Sequence, residues 1–145
     1  MTSHKFEAKI VWKSGKEGTI NARRNPEIRI ATPPEFGGPP DAWSPLELLV
    51  ASLTSCYMST FMNIADKRNL KARSFEAAGV GFVEATPEGL RFTRIDVAVK
   101  VVVDGEEMAK KVKAAQEPLK KLCPVARGLN FPVNLEMDVS IALER

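Results

Sequence analysis

The sequence predicts an α+β domain, a mostly antiparallel sheet built around a long buried central helix. Three observations carry this reading. Apolar residues cover almost every side of the stretch from Leu46 to Met58. Period-two alternation is clean in Ile95, Val97, Val99, Val101 and Val103, and the elements run three strands, helix, two strands, helix, strand. A helix apolar all round is a core helix, and strands and helices gathered in runs define an α+β arrangement.

Along the chain, Lys5 to Trp12 alternates as a strand, with Phe6, Ala8, Ile10 and Trp12 on one side. Ser14-Gly15-Lys16-Glu17-Gly18 is a turn, and Thr19 to Arg24 returns as a second strand. Glu27 to Thr32 is a third, bounded by Pro26 and Pro33, which cannot donate to a ladder. The run from Pro33 to Asp41, rich in proline and glycine, is a surface loop. Its Gly37-Gly38 is no phosphate cradle, because no Gly-Lys-Ser/Thr follows.

Ser44, Pro45 and Glu47 form a capping box: a side-chain acceptor, a proline at the first helical position and a carboxylate at the third. The helix then runs from about Pro45 to Arg68, amphipathic past Phe61. Tyr57, Met58, Phe61 and Met62 belong to its core or to a contact between copies, and Trp12 and Trp43 are packing residues or, as the alternative, part of a pocket wall. Two long strands follow, Ser74 to Glu84 and Leu90 to Val103, about a turn at Thr86 to Gly89. Gly105 to Leu122 is an amphipathic helix with a kink expected at Pro118. Cys123 to Gly128 is a helical turn capped by its glycine, and Val133 to Leu143 is the last strand.

At 145 residues the chain fits one domain, 1–145. A net charge of +3, with acids and bases interleaved, excludes the basic face of a nucleic-acid binder. The stretch from Leu46 to Met62 is interrupted by Glu47 and several hydroxyl residues. It falls short of the roughly 20 apolar residues of a membrane span, so no membrane contact is expected. The opening Met-Thr-Ser-His-Lys-Phe-Glu lacks a signal-peptide core, which gives a cytoplasmic expectation.

Two cysteines, Cys56 and Cys123, are then either inert buried thiols or a redox pair, because cytoplasmic reductants oppose a permanent disulfide. With His4 the sole histidine and no CxxC, no metal site is expected. Thiol redox chemistry needs a thiolate. Cys56 sits mid-helix among apolar side chains, which favour the neutral thiol, so it needs a cation from elsewhere; Arg23 and Arg24 are candidates. Cys123 occupies an N-cap position before Pro124, with Lys120, Lys121 and Arg127 nearby, and reads locally as the more acidic thiol. Glu47 precedes Cys56 by nine residues, which puts it on the opposite helix face about 13 Å away. Glu47 is therefore either a cap or a group acting across a subunit boundary.

Two segments resemble the osmotically inducible protein C and organic hydroperoxide resistance (OsmC/Ohr) superfamily. They are Ser44-Pro45-Leu46-Glu47-Leu48-Leu49-Val50-Ala51-Ser52-Leu53-Thr54-Ser55-Cys56 and Cys123-Pro124-Val125-Ala126-Arg127. The resemblance implies a single OsmC-like domain in an intertwined homodimer, and a peroxidase that reduces organic hydroperoxides. Cys56 would be the attacking thiol, Cys123 the resolving thiol, and an external dithiol, possibly of lipoyl type, the reductant; no bound cofactor is implied. In the peroxidase branches a glutamate directly follows the helix-opening proline, where this chain has Leu46, with Glu47 one place later. Those branches also use an arginine in the early turn, matched best here by Lys16, which keeps charge but not geometry. These departures favour the alternative, a non-catalytic dimeric protein that binds a small ligand or senses redox state. Lys16 and Glu47 join the two cysteines as the site residues the resemblance implies.

Overall fold

The structure, a computed structural model, describes residues 2–143. The chain folds as two compact units, Met1–Leu49 and Val50–Arg145.

The first unit holds an antiparallel meander, β1 (Lys9–Ser14), β2 (Glu17–Asn21) and β3 (Ile28–Ala31), in that spatial order. The strands are shorter than the alternation predicted. β1 begins at Lys9 because Lys9 is the first residue with a partner, Asn21, so the expected start at Lys5 is corrected. β2 ends at Asn21 because the chain turns there: the Asn25 amide donates to Ala22 O, and Arg23 has φ +55°. Arg29 of β3 pairs with Glu17 and with Asp41. That guanidinium holds the Asp41 carboxyl below its usual range, chiefly through the hydrogen bond.

The Pro33–Asp41 loop carries a short 3-10 turn, Pro34–Phe36, closed by Gly37 at φ +91°. Glycine is favoured there by the backbone. The φ is left-handed, and a Cβ would lie 2.9 Å from Lys16 Nζ.

The capping box forms as the sequence indicates: the Glu47 amide donates to Ser44 Oγ (3.1 Å) and the Ser44 amide to Glu47 Oε1 (3.3 Å). Helix α1 then runs Pro45–Arg68, matching the expected bounds.

The second unit is a three-stranded sheet in the order β4 (Ser74–Thr86), β5 (Gly89–Val103), β6 (Val133–Ile141). β4 and β5 are antiparallel, as expected, but β6 runs parallel to β5, with Ile95 opposite Val133 and Val103 opposite Ile141. The mostly antiparallel expectation thus holds for three of the four strand pairs and fails for β5/β6. A parallel neighbour needs a crossover, here supplied by α2 (Glu106–Ala114), α3 (Gln116–Leu122) and α4 (Pro124–Gly128).

The alternating β5 face, Ile95 to Val103, is buried against Val112 and Leu119 of the crossover and against Leu53, Tyr57 and Phe61 of α1. Phe61 packs on Phe75 of β4 with ring centroids 5.1 Å apart.

The expected kink at Pro118 falls instead at Ala115, between α2 and α3. Pro118 is then the third residue of a new helix, where its missing N–H is one that helices leave unpaired anyway. The glycine cap expected after Cys123 is also displaced: Gly128 is the last residue of α4, and Leu129 caps it.

Gly79 sets how closely α1 meets β4. A Cβ on Gly79 would collide with Thr54 Oγ1 and sit 2.9 Å from Val50 Cγ1, while one on Gly81 would meet Val50 Cγ2 at 2.6 Å. Gly79→Ala is expected to destabilise the protein by about 1–3 kcal/mol through overpacking, read as a shift in the urea midpoint.

The central helix is buried on one side rather than all round. Its buried residues are Leu53, Tyr57, Thr60, Phe61, Ile64 and Ala65, whereas Met58 and Met62 are exposed. By length and composition α1 also qualifies as able to cross a membrane, which corrects the expectation that it falls short; in this structure it packs on the sheet through Gly79 and Gly81.

Candidate functional site

Helix α1 and the α3–α4 junction bring the two cysteines together. Cys56 lies midway along α1, on the stripe continued by Thr60, Asn63 and Lys67. Cys123 ends α3 and caps α4, with its amide bonded to Leu119 O and its carbonyl to the Arg127 amide. Its extended backbone (φ −66°, ψ 111°) lets the chain change direction at that point, and its side chain is buried there. The two thiols are neighbours, near enough that Cys56 raises the Cys123 pKa; neither is in a disulfide, and Cys56 Sγ lies 3.8 Å from Thr60 Oγ1.

The environments of the thiols are unlike. Cys56 is half-buried and opens on a cavity; Cys123 is completely buried. Burial pushes the Cys123 thiol up to about 11, outweighing the backbone N–H groups of Ala126 and Val125 that favour its thiolate; the Cys56 thiol adds to the rise. The local reading of Cys123 as the more acidic thiol is therefore corrected. The amides it counted on are present, but so is a desolvation that only tertiary packing creates. Tyr57, one residue along α1, is likewise pushed up to about 12, first by burial and then by the charges the two thiols would carry.

The cavity measures about 310 Å³ and is lined by Cys56, Ser59, Thr60, Asn63, Ile64, Lys67, Leu122 and Pro124. It can admit a small amphipathic molecule to the Cys56 sulfur. A larger, open hollow of about 440 Å³ by the β4–β5 turn, near Phe92 and Phe131, has no thiol in its wall.

Lys16 and Glu47 belong to the first unit and have polar partners there. Lys16 Nζ donates to Phe36 O at 3.0 Å, and Glu47 is occupied with the helix cap. Of the physical alternatives, Arg23 lies over the Phe6 ring, 5.7 Å from its centroid. The cation that does line the Cys56 cavity is Lys67, which sequence reasoning missed. Its signal was the spacing: residues 56, 60, 63 and 67 repeat at helical period and mark one stripe. Among the described residues no group of three or more His, Cys, Asp or Glu is placed to hold a metal.

The fold and the thiol pair define the class. The chain belongs to the OsmC-like protein family, whose model matches residues 38–138. It is 25% identical to the uncharacterized protein YmaD of Bacillus subtilis (strain 168), over 99% of this chain and 98% of that one. Among solved structures, an OsmC-like protein of unknown function from Vibrio cholerae superposes with a TM-score of 0.84 at 19% identity, covering 94% of this chain and 100% of that one. The organic hydroperoxide resistance protein OhrB of Bacillus subtilis superposes with a TM-score of 0.68 at 19% identity, covering 92% and 98%. At these identities the structures establish a shared fold.

Proposed function

We propose that the protein is a thiol-dependent peroxidase that reduces organic hydroperoxides through Cys56 and Cys123. The observation that carries the reading is the neighbouring thiol pair, one member open to a cavity and the other sealed. The Cys56 thiolate attacks the distal oxygen of ROOH; the O–O bond breaks, sulfur becomes sulfenic acid, and the leaving alkoxide takes a proton to become ROH. The Cys123 thiol then condenses with the sulfenic acid, forming the disulfide and releasing water. An external dithiol reopens it by exchange, carrying off the two electrons.

The division of labour follows from the environments. A thiol held up near 11 by burial stays protonated and waits, whereas the thiol facing the cavity meets the substrate first. Leu122, Pro124 and Ile64 in the cavity wall favour an organic hydroperoxide over hydrogen peroxide. Lys16 and Glu47 act in this reading as residues that a second copy brings to the thiols, and the exposed Met58, Met62, Ile10 and Trp12 support such a homodimer.

The reading is tested by following cumene hydroperoxide with dihydrolipoamide as reductant. Catalytic consumption that depends on both reagents is expected; no consumption above the protein-free rate contradicts it. That outcome would favour the second reading, a ligand-binding or redox-sensing protein, which the engagement of Lys16 and Glu47 within the first unit supports.

A further inference from the structure

The Cys56 cavity has two chemically different ends. Along α1 its wall runs from Cys56 and Ser59 through Thr60, Asn63 and Ile64 to Lys67, and Leu122 and Pro124 complete it, so a thiol stands at one end and a cation at the other. None of the lining residues is acidic, and among the described residues Lys67 makes no ion pair, unlike Lys120, which is paired with Glu117.

Eleven residues separate Cys56 from Lys67, a rise of about 16 Å with an angular offset of only about 20°, so both lie on one stripe. Helical side chains lean toward the N-terminus, so an extended lysine brings its ammonium back to about 10 Å from the sulfur.

We propose that Lys67 is a specificity-determining residue of this site. It anchors a carboxylate on an amphipathic hydroperoxide whose peroxide group meets Cys56, and so makes the cavity select carboxylated hydroperoxides over neutral ones. This rests on the peroxidase reading for its substrate, but the anchoring is a binding property and can be measured without turnover. Lys67 is exposed, so its attraction is screened by salt, and the expected discrimination is modest, about three- to tenfold at low ionic strength.

The test follows alkylation of Cys56 by iodoacetamide, read by mass on the Cys56 peptide, with decanoate or uncharged decanamide as protecting ligand. Decanoate is expected to protect about three- to tenfold better than decanamide in the native chain, and the advantage is expected to fade in high salt. Lys67→Gln is expected to make the two protect alike, and Lys67→Arg to keep the preference. Equal protection by acid and amide in the native chain, or an undiminished preference in Lys67→Gln, overturns the proposal. The kinetic arm places the anion on the substrate rather than the reductant. Lys67→Gln is expected to raise KM for a carboxylated hydroperoxide with kcat kept, leaving its methyl ester and cumene hydroperoxide unaffected. A KM change confined to a carboxylated dithiol overturns it. If neither hydroperoxide is consumed, the peroxidase reading fails separately, and the protection experiment still decides the anchoring.

Discussion

Replacing Cys56 with serine is expected to lower hydroperoxide turnover by at least about a thousandfold, because the attacking atom itself is removed. The effect of Cys123→Ser is different in kind. Cys56 can still attack once, giving one equivalent of alcohol and a sulfenic acid with no thiol to condense with. A stoichiometric burst without dithiol-supported turnover is therefore expected for Cys123→Ser, and no burst for Cys56→Ser. Measuring released alcohol over the first turnover separates the two. Reversal of the pattern would make Cys123 the attacking thiol, against its complete burial. Both variants are expected to fold, since Cys56 is half-buried and serine at Cys123 still accepts the Val125 and Ala126 amides.

Reduced protein is expected to lose stability steeply in alkali, by about 2–3 kcal/mol for Cys123, since each pKa unit is worth 1.36 kcal/mol. The sign follows from proton counts. The Cys123 thiol is held up to about 11, from an ordinary value of 9.0, so between these limits the unfolded chain has lost a proton that the folded chain keeps. Unfolding is then favoured as pH rises: the contribution is intact below about pH 9 and gone above about pH 11. Tyr57, pushed up to about 12, extends the loss to higher pH. Urea midpoints at pH 8, 9, 10 and 11 check this. Cys123→Ser is expected to flatten the first part of the decline relative to the parent, and parallel pH curves for the two would contradict the burial argument.

Much of the fold was legible because it is written in local chemistry. Ser44, Pro45 and Glu47 mark the start of α1 to the residue, and the β4–β5 turn sits where Thr86 to Gly89 placed it. The misplaced features depend on partners that local pattern does not contain. β1 starts at Lys9 rather than Lys5 because pairing, not alternation, sets a strand's end. The parallel approach of β6 to β5 is a consequence of how α2, α3 and α4 carry the chain back over the sheet.

For the site, the two cysteine-bearing segments were legible, and the electrostatics around them were not. Cys123 stands where an acidic thiol would, with helix amides around it, yet its complete burial reverses the balance. Lys67 stands in the last turn of α1, where a lysine already complements the helix dipole, so local pattern gives it no second role. Only the cavity, which exists because α3 and α4 bring Leu122 and Pro124 beside α1, gives it a second neighbour.

The most direct measurement is peptide mapping by mass spectrometry after reduced protein meets a slight excess of cumene hydroperoxide. A single cross-linked species is expected, joining the Cys56 and Cys123 peptides with the loss of two hydrogens and restored by dithiol. Two thiols that stay free, or two cysteines that each add oxygen without joining, would contradict it.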